Sequence, residues 1–131
     1  MNGERGQAIV EFALVVPTLL VVALAMVLVA ELGVARLALQ HATAEAARAG
    51  ALTNDDEQIR GTLAATVAPL AADRVTSEIV PSQTEAPRNG DPRGSLLTVR
   101  ASYALPVPLG FAGLPRLVVT ARASRRIEWT Q

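Results

Sequence analysis

The chain has 131 residues, half of them hydrophobic, with twelve basic and twelve acidic side chains and a formal net charge of zero. Balanced charge gives no reason to expect nucleic acid as a partner, and the length suggests one small domain. Cysteine is absent, which excludes disulfides, thiolate catalysis and Cys-based metal sites. All the basic residues are Arg, and the few aromatics are Phe12, Tyr103, Phe111 and Trp129, so the core must come from Ala, Val and Leu.

The head of the chain runs Arg5-Gly6-Gln7-Ala8-Ile9-Val10-Glu11-Phe12, and residues 12–30 then carry no charge. A helix of these 19 residues rises about 28 Å, close to the ~30 Å of a bilayer's hydrocarbon layer. Twelve of them are Phe, Leu or Val, which together favour insertion by about 4 to 7 kcal/mol. Pro17 is tolerated near the start of a membrane helix and can kink it. Glu11 stands at the mouth of the run, where a carboxylate costs free energy and asks for an explanation. A cleaved secretory signal competes with a retained anchor: Ala23-Leu24-Ala25 is an A-x-A site behind an apolar stretch, with a mature start at Met26. The head is poorly basic, however, since Arg5 is offset by Glu4 and Glu11. A retained anchor is the better reading.

Beyond the run, residues 31–51 stay helical in character. Leu32, Ala35, Leu39, Ala42, Ala46 and Ala49 share one face, and Gly50 is expected to stop the helix. That alanine seam admits close approach by another helix or a sheet. A second helix is expected from a cap at Thr53 or Asn54 to about Ala68, with Asp55, Asp56 and Glu57 compensating its dipole rather than holding a metal.

Three strands are expected after that. The first covers Val75 to Val80, and a Pro- and Gly-rich loop follows over residues 81–95. In the second, Leu97, Val99, Ala101, Tyr103 and Leu105 point inward. In the third, Leu117, Val119, Ala121, Ala123 and Ile127 point inward, with Arg125 interrupting that side. The connection over residues 106–115 is apolar and includes Phe111; it is either tucked against the domain or an exposed docking patch. Arg100, Arg122 and Arg126 fall on the polar side, as a solvated face or as a stripe for anionic headgroups or acidic partner faces. The outer half of the long helix is the natural cover for the apolar side of the sheet. The roughly 80 to 100 residues outside a membrane make a small core of marginal stability.

Catalytic chemistry finds little support. His41 is the only histidine and has no cysteine or neighbouring carboxylate ligands, so it reads as structural. The serines carry no nucleophile motif, and no phosphate-cradling glycine loop is present. No cofactor, metal or small-molecule substrate is expected, and the chain does not read as an enzyme.

The head motif, from Arg5-Gly6-Gln7 through Glu11-Phe12-Ala13-Leu14 with Pro17 inside the span, resembles the TadE-like family of minor pilins (pseudopilins) of the tight-adherence, Flp-type pilus system. The likeness extends to Ala46-Ala47-Arg48-Ala49-Gly50-Ala51, Leu97-Thr98-Val99-Arg100-Ala101-Ser102-Tyr103 and Val119-Thr120-Ala121-Arg122-Ala123-Ser124-Arg125-Arg126. The resemblance implies cleavage between Gly6 and Gln7 by a membrane-embedded prepilin peptidase. Residues 1–6 are then a leader peptide, 7–30 a transmembrane segment and 31–131 an extracytoplasmic pilin-like α+β domain. Gly6 offers the peptidase an unhindered, extended backbone. Glu11, beside Phe12, would pair with the new amine of a neighbouring subunit, and near lipid that attraction is stronger than in water.

The expected fold is therefore α+β: a long N-terminal transmembrane helix that continues outside the membrane and packs on about three antiparallel strands. The expected partners are the membrane, the prepilin peptidase, other pilin or pseudopilin subunits and the Tad assembly platform. The expected location is the cell membrane, single-pass, N-terminus cytoplasmic. A plain membrane-anchored binding domain with an uncleaved leader is the alternative.

Overall fold

A computed structural model describes residues 2–106 and 116–130. The chain divides into two compact units, Met1–Gly33 and Val34–Gln131. One helix, α1 (Asn2–Thr53), contributes to both.

In the first unit α1 is mostly exposed from Gly6 onward. From Gly6 to Gly33 only Leu24 and Leu28 reach half-burial. The apolar stretch has a mean hydropathy of 2.9 and none of it is buried. A helix on the surface of a water-soluble domain keeps a polar face, and this stretch has none over residues 12–30. It is long and apolar enough to cross a membrane once. Pro17 sits inside the helix, where it lacks the N–H that would bond to the carbonyl of Ala13. The adjacent Thr18 Oγ1 donates to Leu14 O at 3.0 Å.

In the second unit the rest of α1 supplies the seam. Ala35, Leu39, Ala42, Thr43, Ala46, Ala47 and Ala51 are buried, and Thr43 Oγ1 donates to Leu39 O at 2.6 Å. Leu32, in the first unit, is exposed and Ala49 is half-buried, while the buried row that starts at Ala35 runs on to Gly50 and Ala51. Gly50 does not stop the helix. It lies inside α1, where a Cβ would come within 2.5 Å of Ile59 Cδ1 and 2.6 Å of Leu97 Cδ2. Its bare backbone lets the helix meet α2 and the sheet at one point. The stop falls at Asn54, whose φ of 52° is left-handed and whose N–H donates to Gly50 O at 2.9 Å. Asn is the side-chain-bearing residue that tolerates this position best.

The second helix, α2 (Asp56–Thr66), is capped by Asp55, not by Thr53 or Asn54: its Oδ1 accepts from the Glu57 N–H at 2.8 Å. It ends at Val67, whose N–H donates to Leu63 O, slightly before the expected limit. Ile59, Leu63 and Val67 face the core.

The strands are β1 (Val75–Val80), β2 (Leu96–Ala104) and β3 (Val118–Arg126), antiparallel in the order β1-β2-β3. Leu97, Val99, Ala101, Tyr103 and Leu105 are buried with Val119, Ala121 and Ile127, in one cluster with the alanines of α1. The fold is thus α+β, with helix packed on a three-stranded sheet. Leu117 is 43% exposed and leaves the inner row. Arg125, opposite Leu97, is exposed at the strand end. Ile127 then regains the core, its N–H donating to Ser95 O at 2.9 Å. The tail closes on α1 through the Glu128 and Trp129 amides, which both donate to Ala51 O at 2.8 and 3.2 Å. Of the apolar connection, residues 107–115, Phe111 included, lie outside the described residues.

Candidate functional site

Gly6, Gln7, Glu11 and Phe12 all stand on the first unit's part of α1. Side chains four apart on a helix face each other, and each leans toward the N-terminus. Gln7 Nε2 accordingly donates to Glu11 Oε1 at 3.3 Å. Glu11 is exposed, and Phe12 is 71% exposed on the adjoining face. Among the described residues, and apart from its chain neighbours and its own helix backbone, nothing lies within 4 Å of where a Gly6 Cβ would stand. Gly6 and Gln7 are helical, though, so the extended backbone expected at their peptide bond is not the conformation seen. A helix is weak at a glycine, by about 1 kcal/mol relative to alanine, which lowers the cost of unwinding there.

This arrangement sets one carboxylate at the edge of an apolar cylinder. Its only hydrogen bond among the described residues is to the neutral Gln7 amide. Nothing cationic is paired with it in this chain among the described residues. The site can therefore accept an amine or guanidinium brought by another molecule.

The other residues singled out in the sequence lie apart from this one. His41 is exposed on the second unit's part of α1. Among the described residues no group of His, Asp and Glu could hold a metal ion. Arg100 and Arg122 are directly opposite each other on β2 and β3, and Arg126 lies opposite Leu96. Arg100 Nη1 is 3.5 Å from Glu78 Oε2, and Arg126 Nη1 donates to Gly94 O at 2.9 Å.

Sequence reasoning missed Arg88. It sits in the Pro- and Gly-rich loop, yet its side chain is fully buried. Its Nε donates to Asn54 Oδ1 at 2.9 Å and its Nη1 donates to Pro81 O at 2.9 Å. Nη1 also forms an ion pair with Asp56. Asn54 Nδ2 donates back to Arg88 O at 3.1 Å, and the Gln83 N–H donates to Asp56 Oδ2 at 3.0 Å. The loop is thereby tied to the α1–α2 corner. The acidic trio divides its labour: Asp55 caps α2, Glu57 lies exposed in its first turn, and Asp56 neutralises Arg88. Dipole compensation alone does not account for Asp56. A separation of 32 residues between Arg88 and Asp56 leaves no local signal of their pairing.

Fold and site together define a chain with one N-terminal helix fit to cross a membrane, the Glu11 carboxylate where its apolar run begins, and a small α+β unit behind it. Residues 6–48 match the family model described as TadE-like protein. The match takes in Gly6, Gln7, Glu11, Phe12, the apolar run and most of the alanine seam, so over this N-terminal third the chain is similar to TadE-like proteins; it ends before α2 and the sheet. No curated protein and no solved structure matches the chain.

Proposed function

We propose that the protein is a TadE-like minor pilin, or pseudopilin, that acts in assembling a Flp-type tight-adherence pilus or its secretion machinery. The observation that carries this reading is the match over residues 6–48, which spans the Gly6–Glu11 spacing and the bare apolar helix behind it. In this reading residues 1–6 are a leader on the cytoplasmic side, residues 7–30 span the membrane and residues 31–131 form the extracytoplasmic domain. A prepilin peptidase cuts between Gly6 and Gln7 after the first turn of α1 unwinds. Glu11 then pairs with the Gln7 amine of a neighbouring pilin or pseudopilin subunit on the Tad assembly platform. Phe12 and the apolar residues after it supply the helix-to-helix contacts. A subunit rises until its carboxylate meets an amine, so the ion pair sets the register. Leaving one partner of a buried pair alone costs about 3–5 kcal/mol, enough to reject misplaced subunits.

The mature N-terminus of protein purified from its host, read by mass spectrometry, tests the processing step. A chain beginning at Gln7 supports the proposal. A chain that keeps Met1 to Gly6 supports a plain single-pass anchor presenting a binding domain, and a start at Met26 supports secretion by signal peptidase.

A further inference from the structure

β1 and β3 are the two edges of the sheet. The Leu105 N–H donates to Leu117 O, and the Ile127 N–H to Ser95 O, both at 2.9 Å. In an antiparallel ladder hydrogen-bonded and non-bonded pairs alternate. Those two bonds therefore assign the β2–β3 hydrogen bonds to the odd-numbered residues of both strands. The backbone groups of Thr120, Arg122 and Ser124 face away from β2, and no other hydrogen bond among the described residues takes them up. By the same alternation β2 turns its even-numbered residues toward β1, so the backbone groups of Ser77 and Ile79 face outward at the opposite edge.

The side chains add a polarity to these edges. Glu78, Arg100 and Arg122 form one row across the three strands. Arg100 has Glu78 at 3.5 Å. Arg122 has an arginine opposite it and, among the described residues, no carboxylate within ion-pair distance. Like charges directly opposite are unfavourable. The row thus begins acidic at the β1 edge and ends basic at the β3 edge, one strand short of neutrality.

We propose that the β3 edge of one copy pairs in parallel with the β1 edge of a second copy, with Glu78 of the second copy beside Arg122 of the first. Among the described residues both edges offer unpaired backbone groups, and the pleat matches: Ser77 of the second copy lies beside Ala121 on the inner side, and Glu78 beside Arg122 on the outer side. A β3–β3 pair lacks this complementarity, because β3 contains no carboxylate. The contact joins two different surfaces, so it propagates head to tail instead of closing as a dimer. It is independent of the processing proposed for the head of the chain.

The absence of native cysteine makes the test clean. Thr76, Ser102 and Thr120 share one row, so Thr76 and Thr120 of one chain are two strands apart, about 9–10 Å. Cysteines bridge only when their Cα atoms lie within about 7 Å, so the full-length Thr76→Cys/Thr120→Cys protein, oxidised in detergent micelles, can cross-link only between copies. The expected result is a ladder of dimers, trimers and longer species, with each single-cysteine variant giving none beyond a dimer. Adding Glu78→Arg should reduce the ladder at least about tenfold, since like charges then meet across the contact, and adding Arg122→Glu to that chain should restore it. Monomers only, dimers only, or a ladder indifferent to Glu78→Arg would overturn the proposal.

Discussion

Gly50 and Gly61 offer the same substitution in two environments. Each lies inside a helix, Gly50 in α1 and Gly61 in α2. Replacing either by Ala favours the helix by up to about 1 kcal/mol, because alanine loses less backbone freedom. Around Gly61 nothing among the described residues, apart from its chain neighbours and its own helix backbone, lies within 4 Å of the new Cβ, so Gly61→Ala should raise stability by nearly that amount. At Gly50 the new carbon meets Ile59 Cδ1 at 2.5 Å, Ile59 Cγ1 at 2.6 Å and Leu97 Cδ2 at 2.6 Å. Ile59 and Leu97 are both fully buried, so neither can swing into solvent. Overpacking a filled core costs about 1–3 kcal/mol, and that range is the expected difference between the two variants, since the propensity gain is common to both. For a domain of 60 to 100 residues each kcal/mol shifts Tm by about 4–8 °C. Urea or thermal unfolding of the two full-length proteins in one detergent, followed by Trp129 fluorescence, measures the difference. Equal stabilisation by both substitutions would refute the close approach of α1 to α2 and β2.

Arg88→Met leaves the Asp56 carboxylate without its cation and should destabilise the second unit by about 3 kcal/mol; adding Asp56→Leu should recover part of that loss in a double-mutant cycle, and strictly additive losses would count against the pair. Asp55→Ala removes the cap of α2 and should cost about 1 kcal/mol, read by the same unfolding assay, whereas Glu57→Ala should cost less. Glu11→Ala should impair pilus assembly in the host while leaving membrane insertion and the unfolding of the second unit unchanged; normal piliation would remove the pairing role.

Several features were legible in the sequence because local rules decide them. Periodicity of two marked β1 to its end residues and set the inward row of β2. The uncharged run announced a helix bare on every side, and the Gly6–Glu11 spacing marked the head that the family comparison also matches. A helix cap was anticipated, though one or two residues from its place, since Thr53, Asn54 and Asp55 all have capping side chains.

What tertiary structure alone decided depends on groups far apart in the chain. Gly50 looks like a terminator until Ile59 and Leu97 are seen pressing on it, and the left-handed Asn54 then does the terminating. Arg88 looks like a solvated loop charge until Asn54, Pro81 and Asp56 converge on it. Local sequence fixes which backbone shapes are cheap, through propensity, pattern and capping. Burial and charge pairing are sums over neighbours brought together by the fold, and no window of adjacent residues contains them.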